Sequence, residues 1–166
     1  MILLKLDGVT GDSQIPGYED WIACTSCSWN IERTFSESAK AGTLDVNVGV
    51  AEIPPITLGK SFDVASVYLM QNAIAGGALG TAAQIHFLST SGTEGTGAIY
   101  LEYKLFNPIV ASWSISGDED ERPTEEVTLW YWKIWMQYYA STDGKNYVGK
   151  GNKGWDRTKN KSWDGK

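Results

Sequence analysis

The residue types that most often carry chemistry are thinly spread in this chain, and spacing decides what each can do. Cys24 and Cys27 form a C-x-x-C pair. Redox versions of that pair sit where a strand turns into a helix, whose N-terminus stabilises the thiolate. Here the pair falls inside an alternating segment, and side chains three apart along a strand point to opposite faces, about 10 Å apart. That geometry predicts two structural thiols. A zinc site needs about four ligands, and the chain has a single histidine, His86, on the polar side of a strand next to Gln84. No nucleophile motif, metalloprotease motif or phosphate-cradling loop accompanies it. Asp118-Glu119-Asp120-Glu121 packs four carboxylates together, but at a spacing that matches no calcium loop, which predicts a solvated acidic turn. Sugar hydrolysis requires two carboxylates across a cleft, and nothing in the spacing singles out such a pair. The residues therefore predict no catalytic, cofactor or metal site, and a protein that is not an enzyme. The aromatics are the other candidates. Trp130, Trp132 and Trp135 share a segment with Tyr131, Tyr138 and Tyr139. Such side chains bind sugars, and they also dominate cores and interfaces.

The elements that must position these residues are mostly strands. At 166 residues the chain suits one domain with a hydrophobic core. Many glycines, few prolines and abundant Trp and Tyr favour strands joined by turns. A formal net charge of −6 argues against a general nucleic-acid binder. No apolar run is long enough to span a membrane, and Met1–Leu6 meets Asp7 too soon for a secretory signal, so the expectation is synthesis in the cytoplasm without a signal peptide. Charge is unevenly spread. Residues 1–143 carry seven basic and 18 acidic side chains, a net of −11, whereas residues 144–166 carry seven basic and two acidic, a net of +5. An acidic body with a basic end can attract a second copy of itself.

Alternation predicts strands at Ile2–Leu6, at Trp21–Phe35 as one long strand, at 83–89, at 99–115 with a bend at Asn107–Pro108, and at Val127–Tyr139. The last is apolar on both faces, which predicts cover on both sides. Leu44, Val46, Val48 and Val50 alternate with polar residues, which fits either an extended arm or an ordinary strand. Asp63 is placed to cap a single helix over Val64–Ala75, with Val64, Val67, Tyr68, Gln71, Ile74 and Ala75 as its stripe and Gly76-Gly77 as its stop. Beyond Gly144 periodicity fades. Six or more strands with one short helix describe a closed barrel or sandwich domain over 1–143, followed by a basic, flexible tail over 144–166.

Four stretches in order give the chain a family resemblance. They are Trp21-Ile-Ala-Cys-Thr-Ser-Cys-Ser-Trp29-Asn-Ile31; Phe62-Asp63-Val-Ala65-Ser66-Val-Tyr-Leu69; Ile99 to Leu105 followed by Val110-Ala-Ser112-Trp-Ser114-Ile-Ser116-Gly117; and Arg122-Pro-Thr-Glu-Glu126-Val-Thr-Leu129-Trp-Tyr131-Trp-Lys133-Ile134. Together they resemble the Hcp (hemolysin-coregulated protein) family, the tube component of type VI secretion. Asp63, Ala65, Ser66 and Leu69 match the family's D-x-A-S-x-x-L helix opening. The resemblance implies a closed β-barrel of two packed antiparallel sheets, a flanking helix and a protruding extended loop. It implies homohexameric rings that stack into a tube carrying effectors, with sheath, spike and effector proteins as partners, and secretion through the type VI apparatus. It implies no cofactor, no nucleic acid and no membrane insertion. The protruding loop corresponds to Lys40–Glu52, which makes Leu44, Val46, Val48 and Val50 a ring-stacking face. Trp130 and Trp132 depart from the family, which usually has small or polar residues there. The tail repeats Lys153-Gly-Trp155-Asp156 as Lys161-Ser-Trp163-Asp164, and Trp155 and Trp163 are expected to dock it on a neighbouring subunit's acidic body. Two alternatives stand beside this reading: a tail-tube protein of another contractile device, and a carbohydrate-binding β-sandwich.

Overall fold

Alternating apolar positions give strands along nearly the whole chain. The computed structural model describes residues 1–37, 46–90, 97–144 and 146–165; the side chains of Glu37, Val46 and Asn47 fall outside that description, as do residues 40–45 of the predicted arm, Leu44 among them. The strands are β1 (Ile2–Leu6), β2 (Ile22–Cys24), β3 (Ser26–Ser28), β4 (Glu32–Glu37), β5 (Val46–Glu52) and β6 (Ile56–Ser61). After helix α1 (Ser66–Ala75) come β7 (Ala82–Ser89), β8 (Ala98–Phe106), β9 (Ile109–Ser116), β10 (Thr124–Trp130), β11 (Lys133–Ala140), β12 (Val148–Asp156) and β13 (Lys161–Trp163). A main sheet of seven has the order β13-β12-β11-β8-β7-β1-β2, a second sheet of four has the order β3-β6-β10-β9, and β4 and β5 form a separate hairpin. Every pairing is antiparallel.

Each long strand read from alternation is divided at a corner and serves more than one sheet. Trp21–Phe35 breaks at Thr25, whose N–H donates to Gly59 O (2.8 Å), so β2 lies in the main sheet, β3 in the second and β4 in the hairpin. The segment from Ile99 turns at Asn107, with φ of 47° and its N–H bonded to Thr81 O (3.0 Å), and passes from β8 in the main sheet to β9 in the second. The last segment turns at Tyr131–Trp132 from β10 to β11, with Trp132 N–H on Phe106 O (3.0 Å). Strands that switch sheets at bends make the corners of an orthogonal sandwich. Where a closed barrel was expected, the described residues form two antiparallel sheets linked at these corners. Among the described residues β2 and β13 end one sheet and β3 and β9 end the other, with no closing ladder.

The core fills the space between the sheets. Leu4, Leu6, Ile22, Ile85, Leu105 and Ile134 of the main sheet meet Ile56, Leu58, Val110, Val127 and Leu129 of the second, with Tyr131 at the corner. Each such side chain stabilises the fold by about 1.5–3 kcal/mol relative to exposure. A smaller cluster of Leu3, Trp21 and Leu88 covers the opposite face of the main sheet at β1, under Ile15 and Tyr18 of the β1–β2 loop.

The helix departs from its expected orientation. It enters the core through Ala65, Ser66 and Leu69, each fully buried, while Val64, Val67, Tyr68, Gln71, Ile74 and Ala75 are exposed. The apolar stripe thus faces outward. Small side chains let α1 lie close against the sheet, and one leucine suffices to anchor it.

Residues 148–163, expected as a flexible tail, form β12 and β13. β12 pairs with β11 along its length, from Ala140↔Val148 to Lys133↔Asp156. It holds by backbone hydrogen bonds while its residues from 148 to 153 are all exposed, so it has no buried face for alternation to reveal. Gly154 shows how tightly it fits: a Cβ there would stand 2.7 Å from Ile134 O and 2.9 Å from Trp163 O.

Candidate functional site

The break at Thr25 changes the setting of the C-x-x-C pair. Cys24 and Cys27 pack against the same core cluster rather than on opposite faces of one strand, and both are free thiols. Burial pushes Cys24 up to about 12, with the Cys27 thiol adding to the effect, and pushes Cys27 up to about 11. The thiolate is the nucleophile and the metal ligand, so both groups are held in their unreactive form. Among the described residues, no three His, Cys, Asp or Glu side chains gather into a metal-ligand set.

His86 belongs to a polar cluster on the outer face of the main sheet. Its Nδ1 lies 3.2 Å from Tyr18 Oη, and its Nε2 lies 3.4 Å from Glu102 Oε1 on the neighbouring strand. Glu102 also accepts the Tyr139 hydroxyl (2.8 Å) and pairs with Lys104 (3.2 Å). Burial works against the ionised carboxyl, but the bonds from His86, Tyr139 and Lys104 outweigh it and hold Glu102 down at about 2. Trp21 packs on the imidazole with ring centroids 4.7 Å apart. The cluster staples the β1–β2 loop to β7, β8 and β11.

A second polar cluster, not foreseen from the sequence, fixes the start of α1. Lys60 Nζ is 2.8 Å from Asp63 Oδ1, 3.0 Å from Glu125 Oε2, 3.0 Å from Ser66 Oγ and 2.8 Å from Ser61 O. Ser66 Oγ also accepts the Asp63 N–H (2.9 Å), and Asp63 Oδ1 accepts the Ala65 N–H (2.9 Å). Asp63 thus caps the turn leading into the helix, one step before the helix itself. Ala65 and Leu69 fill the core beside it. The four residues of the predicted helix opening are brought together, and Lys60 and Glu125 complete them. The signal was present only as Lys60 two residues before Phe62 and Glu125 inside the Arg122–Ile134 run.

The described part of the predicted arm, β5, pairs with β4 in a hairpin that lies between Trp29 and Pro55. Its root is held by one carbonyl: Pro54 O accepts both Trp29 Nε1 (3.1 Å) and Tyr131 Oη (2.8 Å). On the hairpin, Phe35 stands opposite Val48, and both are exposed, as are Ile31 and Val50, the last by 80%.

A sequence profile described as "Type VI secretion system effector, Hcp" matches residues 3–138. The chain belongs to the Hcp family. A protein solved as "Structure of a type six secretion system protein" is 25% identical, with 98% of each chain covered and a TM-score of 0.85. Hcp1 from Salmonella typhimurium is also 25% identical, over 98% of this chain and 97% of its own, with a TM-score of 0.73. The fold is shared more widely: a chain of the sheath–tube complex of an extracellular contractile injection system, PVC, superposes with a TM-score of 0.57 at 17% identity, covering 82% of this chain and 88% of that one. Comparison with curated proteins gives no match.

Beside the arm, this Hcp protein carries an aromatic corner and a C-terminal hairpin. Trp130 and Trp132 meet edge to face at 4.7 Å, and the Arg157 guanidinium lies 4.7 Å over Trp130 while donating to Tyr131 O (3.1 Å). Trp155 packs against the core, and Trp163 sits edge to face on Phe106 at 4.6 Å with Lys133 above it. Both tryptophans expected to dock the tail on a neighbour are therefore engaged within their own chain. What the C-terminal hairpin offers outward is its lysines. The doubly apolar last segment is only half covered: Ile134 and Trp135 are buried, while Met136 and Tyr138 are exposed.

Proposed function

We propose that this Hcp protein is a non-catalytic tube subunit of a type VI secretion system that forms hexameric rings, and that the β4–β5 hairpin docks on the next ring in the stack. The observation that carries this reading is the hairpin itself: Phe35, Val48 and Val50 lie exposed on an arm whose root is clamped at Pro54. A monomer gains nothing from presenting apolar side chains on such a hairpin, whereas a neighbouring ring buries them. The helix stripe of Val64, Val67 and Ile74 and the uncovered Met136 and Tyr138 are further apolar surface for subunit contacts. The sheath, the spike and the carried effectors are the remaining partners, and the route out of the cell is the secretion apparatus.

The sugar-binding alternative loses its support, because Trp130, Trp135 and Trp163 pack against cations or rings of the same chain and Trp155 packs against its core. A tube role in another contractile device draws on the fold shared with the sheath–tube complex chain and predicts the same rings. Negative-stain images with sedimentation analysis of the purified chain test the proposal. Rings of six subunits are the expected result, and a monodisperse monomer at high concentration overturns it.

A further inference from the structure

The two ends of this molecule carry opposite charge, and the strands that join them fix the distance between. β6 and β10 run antiparallel from Leu129↔Ile56 at one end to Thr124↔Ser61 at the other, a span of about 17 Å at the usual rise per residue. Beyond Thr124 lies the β9–β10 turn, where Asp118, Glu119, Asp120 and Glu121 are all exposed and Arg122 is the one opposing charge. Beyond Leu129 the chain reaches Trp132, whose carbonyl accepts the Arg157 N–H (3.1 Å) and so holds the β12–β13 turn at this end. Here Lys153, Lys159 and Lys161 are exposed around a cleft that Lys133, Asp156, Trp163 and Asp164 also line, its four lysines outnumbering its two aspartates. Lys133 is already occupied by Asp156 at 3.4 Å. Among the described residues, no ion pair within the chain engages Lys153, Lys159 or Lys161, or any of the four acids of the turn.

Clusters of like charge repel themselves and are relieved by a cluster of the opposite sign. Standing at opposite ends, these two cannot meet within one subunit. They meet when two copies stand head to tail, a heterologous contact that repeats without closing. We infer that the acidic β9–β10 turn of one subunit docks on the Lys153–Lys159–Lys161 face of a second copy in the next ring, so that charge sets the direction of stacking. The inference rests on the tube reading and adds to it a named electrostatic clasp beside the apolar arm. A second copy is the partner because each end carries the complement of the other, whereas a net charge of −6 opposes a polyanion.

Two charge-reversed full-length chains test this. In one, Lys153→Glu, Lys159→Glu and Lys161→Glu make both ends acidic; in the other, Asp118→Lys, Glu119→Lys, Asp120→Lys and Glu121→Lys make both ends basic. In low salt each alone should form rings whose stacks are at least tenfold fewer than those of the parent chain. Mixed in equal amounts, the two should recover stacking, and about 1 M salt, where the screening length is about 3 Å, should abolish the recovery. A matching set of Lys→Gln substitutions gives the same direction of change should the glutamate set not fold. Parent-like stacking by either reversed chain, or no recovery on mixing, overturns the clasp while leaving the rings standing. Absence of rings from the parent chain is the separate result that sinks the tube reading, and the clasp with it.

Discussion

Lys60 Nζ lies 3.0 Å from Glu125 Oε2, with both side chains wholly removed from water. The two are register partners on β6 and β10, so this bond crosses the second sheet from within. Asp63 shares the same ammonium at 2.8 Å, and one cation therefore holds two carboxylates and the entrance to α1. Lys60→Met leaves both acids buried without a counter-charge. The expected cost is about 3–5 kcal/mol, read as a fall in the urea midpoint. Lys60→Met combined with Glu125→Leu should lose less than the sum of the single changes, because partners in one network couple. Strict additivity would refute the assignment of a shared network.

Glu102 gives the fold a defined acid sensitivity. Its carboxyl is held at about 2 in the native state, against an ordinary value near 4.5. A group with a lowered native pKa stabilises fully above its ordinary value, and that stabilisation is lost as pH falls toward the native one. The contribution of Glu102 is thus present above about pH 4.5 and disappears by about pH 2. Glu102→Gln removes the charge that Lys104, Tyr139 and His86 were arranged to meet, at a cost of about 1.5–3 kcal/mol at neutral pH. Its unfolding free energy should fall less steeply than that of the parent chain between pH 4.5 and 2. Parallel pH profiles for the two chains would sink the assignment.

Much of this was legible in the sequence, and the reasons for the rest are local. Alternation at Ile99, Leu101, Tyr103 and Leu105 marks a strand correctly, although Ile99 packs with the outer cluster, Leu105 with the main core, and Glu102 between them is buried. It does not report which sheet the strand joins, so the corners at Thr25 and Tyr131 read as continuous strand. The bend at Asn107–Pro108 was visible, but it also shifts the buried set, since Val110 enters the core while Ala111 is exposed. The helix opening was read from residue types, but its apolar stripe was assigned to the wrong side, since a small-residue face can be the buried one. Lys60 and Glu125 stand 65 residues apart, and no local pattern links them. β12 left no trace, because its exposed lysines and glycines alternate with nothing.

The thiols should be slow to react. With Cys27 lifted to about 11 and Cys24 to about 12, the thiolate fraction at pH 8 is about one in a thousand or less, against roughly a quarter for an unperturbed thiol near 8.5. Labelling by a disulfide reagent at pH 8 should therefore be at least about a hundredfold slower in the native chain than in denaturant. A native labelling rate equal to that in denaturant would return the C-x-x-C pair to the list of reactive sites.

The arm separates folding from assembly, and two substitutions on it should show this. Val48 and Val50 are exposed by 53% and 80%, so within one subunit neither contributes much buried area. Val48 does face Phe35 across the hairpin, and a cross-strand pair of this kind contributes about 0.2–1 kcal/mol. Val48→Asp with Val50→Asp should accordingly destabilise the subunit by no more than about 1 kcal/mol, a shift in Tm of about 2–4 °C for a chain of this size. Docked on a neighbouring ring, the same positions would bury two unpaired carboxylates, which costs far more than the lost apolar contact. The double variant is therefore expected to melt almost as the parent does and to form rings that no longer stack. Stacks of parental length from this variant would mean that the apolar face of the arm is not the contact between rings.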